Sequence, residues 1–444
     1  MHTALEQRAR GRLTRRKHTH GDGSLRVVRV GLLGLGNVGQ AVVRTNERWR
    51  ARLAERGLDV QICSALVRNP ARARRCTVQD ALVTSDPAQF LAQPYDVVIE
   101  VLGGIEPAGT LVRRLLTAGI PVITANKSLL AAQGAALRRL ARRSQTPLVV
   151  EASVLAGVPF LGSLARRPLA SRVDRICGIL NGTSNYILSA MTREGASCES
   201  ALRRAQELGL AEPDAHNDVH GIDAAEKLVV LLGELGVAEL PTAAIETTGI
   251  DSITAADLTQ AQAWGGVIKP VAFAEHCDGA CAVYVGPAFL RHAHALAGID
   301  GLQNAVQLSA APVGDLLFAG PGAGPDATAA TLLDDVVELA TGRRRRTVTV
   351  AEPPTPTLSC VAPATPWFVR LDFATVSPPF ERVLEFLGGH GVWVRQSAVL
   401  EHAPNLTHVF ALTCVCARPR LAGALTALRD AAVCTPAFIR ALEK

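Results

Sequence analysis

A chain of 444 residues exceeds what one hydrophobic core normally supports, so two or three domains are expected. With 48% hydrophobic and 19% charged residues and a mean hydropathy of +0.20, it reads as a globular protein, and no apolar run reaches the roughly 18 residues of a membrane span. The net charge of +6 is concentrated in residues 1–26, where seven Arg and Lys face only Glu6 and Asp22, giving +5; the remaining body is near +1 and offers no electrostatic ground for a nucleic-acid partner.

The basic leader, residues 1–26, has too few apolar side chains to offset its ordering entropy and is expected to be disordered. It lacks the apolar segment of a secretory signal, while an organelle transit peptide and a plain basic extension both fit it. Ten cysteines without a CxxC pair suit reduced thiols and a cytoplasmic location. The nearest approach to a metal cluster, His276 and Cys277 with Cys281, falls short of the ligand count of a zinc site.

After the leader, RVVRVGLLGLGNVGQAVV (26–43) runs an apolar strand through a glycine turn into a helical pattern. Strand-like runs recur at VQICSALV (60–67), DVVIEVL (96–102), PVITA (121–125) and PLVVEAS (147–153), separated by stretches of helical period. This alternation predicts an α/β fold, a doubly wound parallel sheet of Rossmann type over residues 27–150. Residues 151–345 carry more glycine and several amphipathic helices and read as a second α/β domain; its last helix, about 326–341, is free to return to the first. Arginines and prolines mark a linker at 346–362. From there to residue 444 the order strand, helix, strand, strand, helix, strand is the ferredoxin-like arrangement.

In GLGNVG, Gly34 allows a tight turn, Gly36 lets backbone approach a pyrophosphate, and Gly39 permits close helix-to-strand packing. Asn37 and Val38 then open the helix whose N-terminus would face the phosphates. Because the motif follows a strand in the first βαβ unit, a dinucleotide is expected; the competing reading is a bare turn. The second strand ends in Leu66-Val67-Arg68-Asn69, with no carboxylate for a ribose 2′-hydroxyl, and Arg72 and Arg74 follow. Arg68 favours a 2′-phosphate, so NADP(H) is preferred and NAD(H) stays open.

The stretch AEPDAHNDVHGIDAAEK (211–227) concentrates acids before a helix that begins near Gly221. Asp223 and Lys227 fall one turn apart on it. A surface pair there would be worth only about 0.3–0.5 kcal/mol, but the helix is apolar on most of its circumference and should bury the pair. A calcium loop does not fit, since Val219 and Ala225 occupy the sixth and twelfth positions counted from Asp214. A buried lysine beside a carboxylate is a candidate proton donor to a carbonyl oxygen. Lys127 follows the strand PVITA at the carboxyl edge of the sheet, where open α/β folds bind ligands.

GLGNVG, EVLGGIEPA (100–108), VITANKSLLA (122–131), EASVLAGVP (151–159), GILNGTSNYIL (178–188), AEPDAHNDVHGIDAAEK and VGDLLFAGPGAGPDAT (313–328) together resemble homoserine dehydrogenase, in order, over roughly residues 27–341. The resemblance implies reversible NAD(P)H-dependent reduction of L-aspartate 4-semialdehyde to L-homoserine, on the route to threonine and methionine. It implies Lys227 as proton donor, Asp223 as its partner, Lys127 between cofactor and substrate, and Glu212 and Asp218 on the substrate's amino group. Thr183 and Gly182, with Asn181 and Ser184, would line the substrate end of the cleft, and Gly322 of GPGAGP would pass close to the nicotinamide half. A monovalent cation, Na+ or K+, is implied at Glu151 and the carbonyls of Val154, Ala156 and Val158. A homodimer through the second domain, or a homotetramer, is implied as well.

Two segments depart from the family pattern: ASVLAGVP stands for the more usual ASVAGGIP, and GIDAAEK for GIDAAHK. The C-terminal segment resembles an ACT domain, an amino-acid-sensing module, but DFATVSPPF replaces its usual DxPG turn. The alternatives are a related dehydrogenase acting on another amino-acid carbonyl and a catalytically silent sensor of amino acid and dinucleotide. An acyl-enzyme mechanism would need a nucleophilic cysteine, and neither Cys177 nor Cys198 lies in a suitable context.

Overall fold

The computed structural model describes residues 25–442 except 75, 77, 79–80, 166–172, 278–279, 343–363, 374–379, 404–405 and 433. The leader up to residue 24, the linker with its four arginines, and most of the DFATVSPPF turn therefore lie outside the described residues. Two compact units emerge: one of residues 1–172, 229–242 and 321–355, the other of 173–228, 243–320 and 356–444.

The first unit is built on six parallel strands, β1 (Arg26–Leu33), β2 (Leu58–Leu66), β3 (Leu82–Thr84), β4 (Val97–Glu100), β5 (Val122–Thr124) and β6 (Leu148–Val149), in the order β3-β2-β1-β4-β5-β6. This is the doubly wound order, and the strand sequence reverses between β1 and β4, where such sheets bind ligands. The near-continuous apolar character of β1 and β4 follows from burial on both faces. Only β3, three residues long, has no counterpart among the strands expected from sequence.

The helix Pro325–Ala340 returns to this unit and sets Ala329, Leu332, Leu333 and Val336 into the same core as β1 and the helix Asn37–Arg48. Residues 151–172 belong here too, beyond the boundary at 150 expected from sequence. The physical reason is a backbone clasp: the Ala156 and Gly157 amides donate to the carbonyls of Gly322 and Pro321, just ahead of the returning helix. Among the described residues, no helix is long and apolar enough to cross a membrane.

The second unit is organised by a mixed ten-stranded sheet. Its strands are β7 (Val173–Ile179), β8 (Glu246–Thr247), β9 (Gly266–Cys277), β10 (Ala280–Arg291), β11 (Gln303–Ala310), β12 (Gly314–Pro321), β13 (Trp367–Phe373), β14 (Val394–Ala403), β15 (Leu406–Thr413) and β16 (Cys434–Leu442). The order is β12-β11-β7-β9-β10-β16-β13-β15-β14, with the short β8 pairing beside β10. The last four strands and the helices Phe380–Gly389 and Arg418–Ala432 run strand, helix, strand, strand, helix, strand, with first and last strands adjacent.

This C-terminal segment is continuous with the rest of its unit. Strand β16 lies parallel to β10, with Ala288 opposite Arg440, and Phe368, Phe410 and Ile439 share a core with Trp264, Ile268 and Phe289. Charges are buried along this seam. The Arg370 guanidinium reaches Asp257 and Asp372, and Asp257 also completes the capping box of the helix Ala255–Ala263 with Thr254. Arg440 lies between the rings of Tyr284 and Trp367, 4.7 and 4.9 Å from their centroids, and meets Glu246 at 3.2 Å. Removing one member of such a pair strands the other in low dielectric. Arg370→Ala should therefore lower unfolding free energy by about 3 kcal/mol, read from urea denaturation of the whole chain.

Candidate active site

The glycine loop joins β1 to the helix Asn37–Arg48 in the first unit. Gly34 adopts φ +107°, and a Cβ there would meet the Val101 carbonyl at 2.7 Å; a Cβ on Gly39 would meet the Gly34 carbonyl at 2.3 Å. Both glycines are thus required by packing alone. Gly36 differs, since a Cβ there meets nothing within 4 Å, and it is exposed beside Asn37 and the half-buried Val38. Open space in front of the N-terminus of a twelve-residue helix suits a pyrophosphate.

Arg68 is exposed just beyond β2, with Val67 buried between them. Arg74 is spent otherwise, donating to the carbonyls of Asn69, Pro70 and Arg72. It shapes the loop, while Arg68 and Arg72 stay on its exposed side.

Lys127 is the first residue of the helix Lys127–Arg143, capped by the Asn126 side chain, which accepts from the Leu129 amide. A lysine at a helix N-terminus opposes the macrodipole, so the position calls for a local explanation. The preceding turn is held by Glu100, a residue the motif EVLGGIEPA contained but to which no role was attached. Its buried carboxylate accepts from Thr124 Oγ1 at 2.5 Å, the Leu102 amide at 2.8 Å and Asn126 Nδ2 at 3.3 Å, and burial pushes its carboxyl above the usual range. The signal available in sequence was an acid at the end of an otherwise apolar strand.

Also in this unit, both Glu151 oxygens accept amides, from Leu161 at 2.8 Å and Gly162 at 2.6 Å. Val154, Ala156 and Val158 are buried in the following loop, and the Ala156 carbonyl accepts from Thr331 Oγ1. The Gly322 carbonyl accepts the Ala156 amide, so the loop is held firmly against residues 321–322. A carboxylate and three carbonyls make an all-oxygen set of the kind a hard monovalent cation takes.

In the second unit, residues 222–228 open the helix Ile222–Glu234 and place Asp223 and Lys227 on one face. Lys227 Nζ lies 2.8 Å from Asp223 Oδ2 and 2.7 Å from the Leu180 carbonyl, and both side chains are 10% exposed. The expected burial of this pair is thus met. Asn181, which follows Leu180, donates through Nδ2 to Asp223 Oδ2 at 2.8 Å and to Asp218 Oδ1 at 2.7 Å. Two of the expected residues, Asp218 and Asp223, therefore converge on a third that sequence had placed only in the general lining.

The remaining NGTS residues hold the acidic loop to this centre. Ser184 Oγ donates to the Asp218 carbonyl at 2.7 Å, and Thr183 Oγ1 reaches the Leu210 carbonyl at 3.4 Å. At Gly182 a Cβ would meet the Leu302 carbonyl at 2.9 Å, so close packing accounts for that glycine. Glu212 is exposed and stands apart from the cluster, its backbone carbonyl accepting from Gln206. Burial pushes the Cys177 thiol up to about 12 and raises that of Cys198, so the surroundings of both disfavour the thiolate.

A doubly wound sheet with a glycine-loop cradle, joined in one chain to a buried lysine–carboxylate pair, defines a nicotinamide-dinucleotide-dependent oxidoreductase. Residues 34–151 match the family model described as homoserine dehydrogenase, NAD binding domain, and residues 159–337 match the homoserine dehydrogenase model. The homoserine dehydrogenase of Mycobacterium tuberculosis (strain H37Rv) is 37% identical over 331 residues, covering 72% of this chain and 74% of that protein. That of Lactococcus lactis is 34% identical over 320 residues, covering 70% and 74%. A crystal structure of a homoserine dehydrogenase from Thiobacillus denitrificans superposes with TM-score 0.82 at 28% identity, over 95% of this chain and 99% of the other.

The chain belongs to the homoserine dehydrogenase family, NAD(P)-dependent oxidoreductases of amino-acid biosynthesis that interconvert L-aspartate 4-semialdehyde and L-homoserine. The glycine loop yields a direct check: Gly36→Ala should fold normally, because nothing crowds its Cβ, yet weaken NADPH binding at least about tenfold through loss of close backbone approach, as measured by fluorescence titration.

Proposed function

We propose that Lys227 delivers the proton to the aldehyde oxygen of L-aspartate 4-semialdehyde and recovers it when homoserine is oxidised. The observation that carries this reading is the buried 2.8 Å pairing of Lys227 with Asp223, which holds the side-chain nitrogen in a fixed direction. Bound nicotinamide supplies the hydride. Asp218 and Glu212 would bind the substrate's ammonium, with Glu212 reaching it from the exposed end of the acidic loop. Lys127 would bind between cofactor and substrate, its N-terminal helix position fixed through Asn126 and Glu100.

For the cofactor we favour NADP(H), on the support of an exposed Arg68 and the absence of an acid in Leu66–Asn69; NAD(H) remains a second substrate. We assign a monovalent cation, Na+ or K+, to Glu151 and the carbonyls of Val154, Ala156 and Val158, where it would stiffen the loop that clasps residues 321–322. Self-association as a homodimer or homotetramer would account for the exposed Val313 and Leu317 around β12, an outer strand of the second unit's sheet. The βαββαβ segment would serve as an ACT-like module for an amino-acid effector. Cytoplasmic residence accords with eight unpaired cysteines among the described residues.

NADPH oxidation by L-aspartate 4-semialdehyde, followed by nicotinamide absorbance, tests the chemistry. Lys227→Ala should cut kcat by about 10²-fold or more while NADPH still binds; retention of kcat would exclude Lys227 as donor. In the same assay Arg68→Ala should raise KM for NADPH about tenfold and leave KM for NADH unchanged, as expected for one lost charge-assisted contact to a 2′-phosphate. Equal effects on both cofactors would remove the basis for NADP preference.

A further inference from the structure

We infer that Asn181 is a positioning residue for the reaction, holding the two carboxylates Asp218 and Asp223 apart in role while keeping both as acceptors; the inference rests on the assignment of Lys227 and the acidic loop given above. Asn181 is 5% exposed, and every polar atom of its side chain is engaged. Its Oδ1 accepts the Ser184 amide at 2.8 Å, capping the helix Gly182–Glu194, and this bond fixes which end of the amide is the NH2. The two N–H groups then have determined targets: one reaches Asp218 Oδ1 at 2.7 Å and the other Asp223 Oδ2 at 2.8 Å.

Both targets must be lone pairs, so the amide favours the ionised form of each carboxylate. Asp223 Oδ2 also receives the Lys227 ammonium, which makes that single oxygen the junction of the donor lysine and the amide. Without the amide bridge the two carboxylates would repel, one would tend to protonate, and the lysine's counterion and the substrate's anchor would no longer be distinct.

The cap and the bridge can be separated by substitution, because Asp and Ser are also good N-caps. Asn181→Asp preserves the oxygen that accepts the Ser184 amide but replaces the NH2 with a third acceptor. Asn181→Ser preserves the cap with a shorter, neutral side chain. Both variants, alongside wild type and Lys227→Ala, would be assayed for kcat, KM for L-aspartate 4-semialdehyde, NADPH affinity and thermal midpoint.

The expected result is a kcat reduced about 100-fold in Asn181→Asp and about tenfold in Asn181→Ser. KM for the semialdehyde should rise roughly tenfold, with NADPH affinity held near wild type in both variants and the thermal midpoint held near wild type in Asn181→Ser, the third buried carboxylate lowering it in Asn181→Asp. Values of kcat and KM within twofold of wild type in both variants would overturn the proposal. A loss of kcat that tracks falling thermal midpoint and NADPH affinity would overturn it as well, leaving Asn181 a structural cap. Full activity of Lys227→Ala would instead sink the underlying reading, whatever Asn181 does.

Discussion

A lysine side chain can be buried only if the fold surrounds its nitrogen with acceptors, and that requirement organises the neighbourhood of Lys227 in the second unit. Lys227 meets it with one carboxylate and one backbone carbonyl. The carboxylate comes from its own helix, one turn earlier, so the helix must begin by residue 222. The carbonyl is that of Leu180, so β7 must end where its last peptide turns toward the lysine. Asn304 Nδ2 holds the neighbouring Ile179 carbonyl at 3.0 Å, which leaves that strand end little freedom. The position of one ammonium is thereby tied to a helix start, a strand end and a side chain from β11.

The same physics recurs along the seam between the C-terminal strands and the rest of the second unit. Arg370 and Arg440 are at least as buried as Lys227, and each is paired with an acid from an earlier segment, Asp257 and Glu246. Buried ion pairs contribute little net stability relative to well-packed apolar groups, but they penalise wrong pairings strongly. Aromatic cover by Tyr284 and Trp367 adds a favourable contact to the Arg440 cation at short range. The chemistry of the seam therefore specifies the register in which β16 meets β10, beyond what the apolar core of Phe289, Phe368 and Phe410 would define.

Local signals accounted for much of this architecture. The first unit was legible because its strands are continuous apolar runs and its first turn has a glycine pattern with few other uses. The Asp223–Lys227 pair was legible because helical spacing fixes two residues on one face, and an apolar helix implies burial. What escaped were relations between distant segments. Nothing local to Asn181 reveals that Asp218 and Asp223, 37 and 42 positions later, share its amide. Glu100 was equally silent, since its partners Thr124 and Asn126 arrive from the next strand and turn. The strand β3 was too short to show periodicity, and residues 151–172 joined the first unit through backbone bonds that carry no side-chain signature.

Neither lysine of the proposed mechanism occupies a place that stability alone would choose. Lys227 bears a desolvation cost that a leucine at the same position of this apolar helix would avoid. Lys127 stands at a helix N-terminus, where an acid would be favoured by the exposed amides. Near each lies a buried polar network anchored on an acid, Asp223 with Asn181 in one unit and, in the turn before Lys127, Glu100 with Asn126 in the other. Both networks use an asparagine that caps a helix with its oxygen and spends its nitrogen on a carboxylate. An asparagine suits this double task because its two ends carry opposite hydrogen-bonding character: a serine lacks the reach, and an aspartate at the same site would set a carboxylate against a carboxylate. The device thus recurs in both units, Asn181 against Asp223 and Asn126 against Glu100, close in each case to a lysine to which the proposed reaction gives a task.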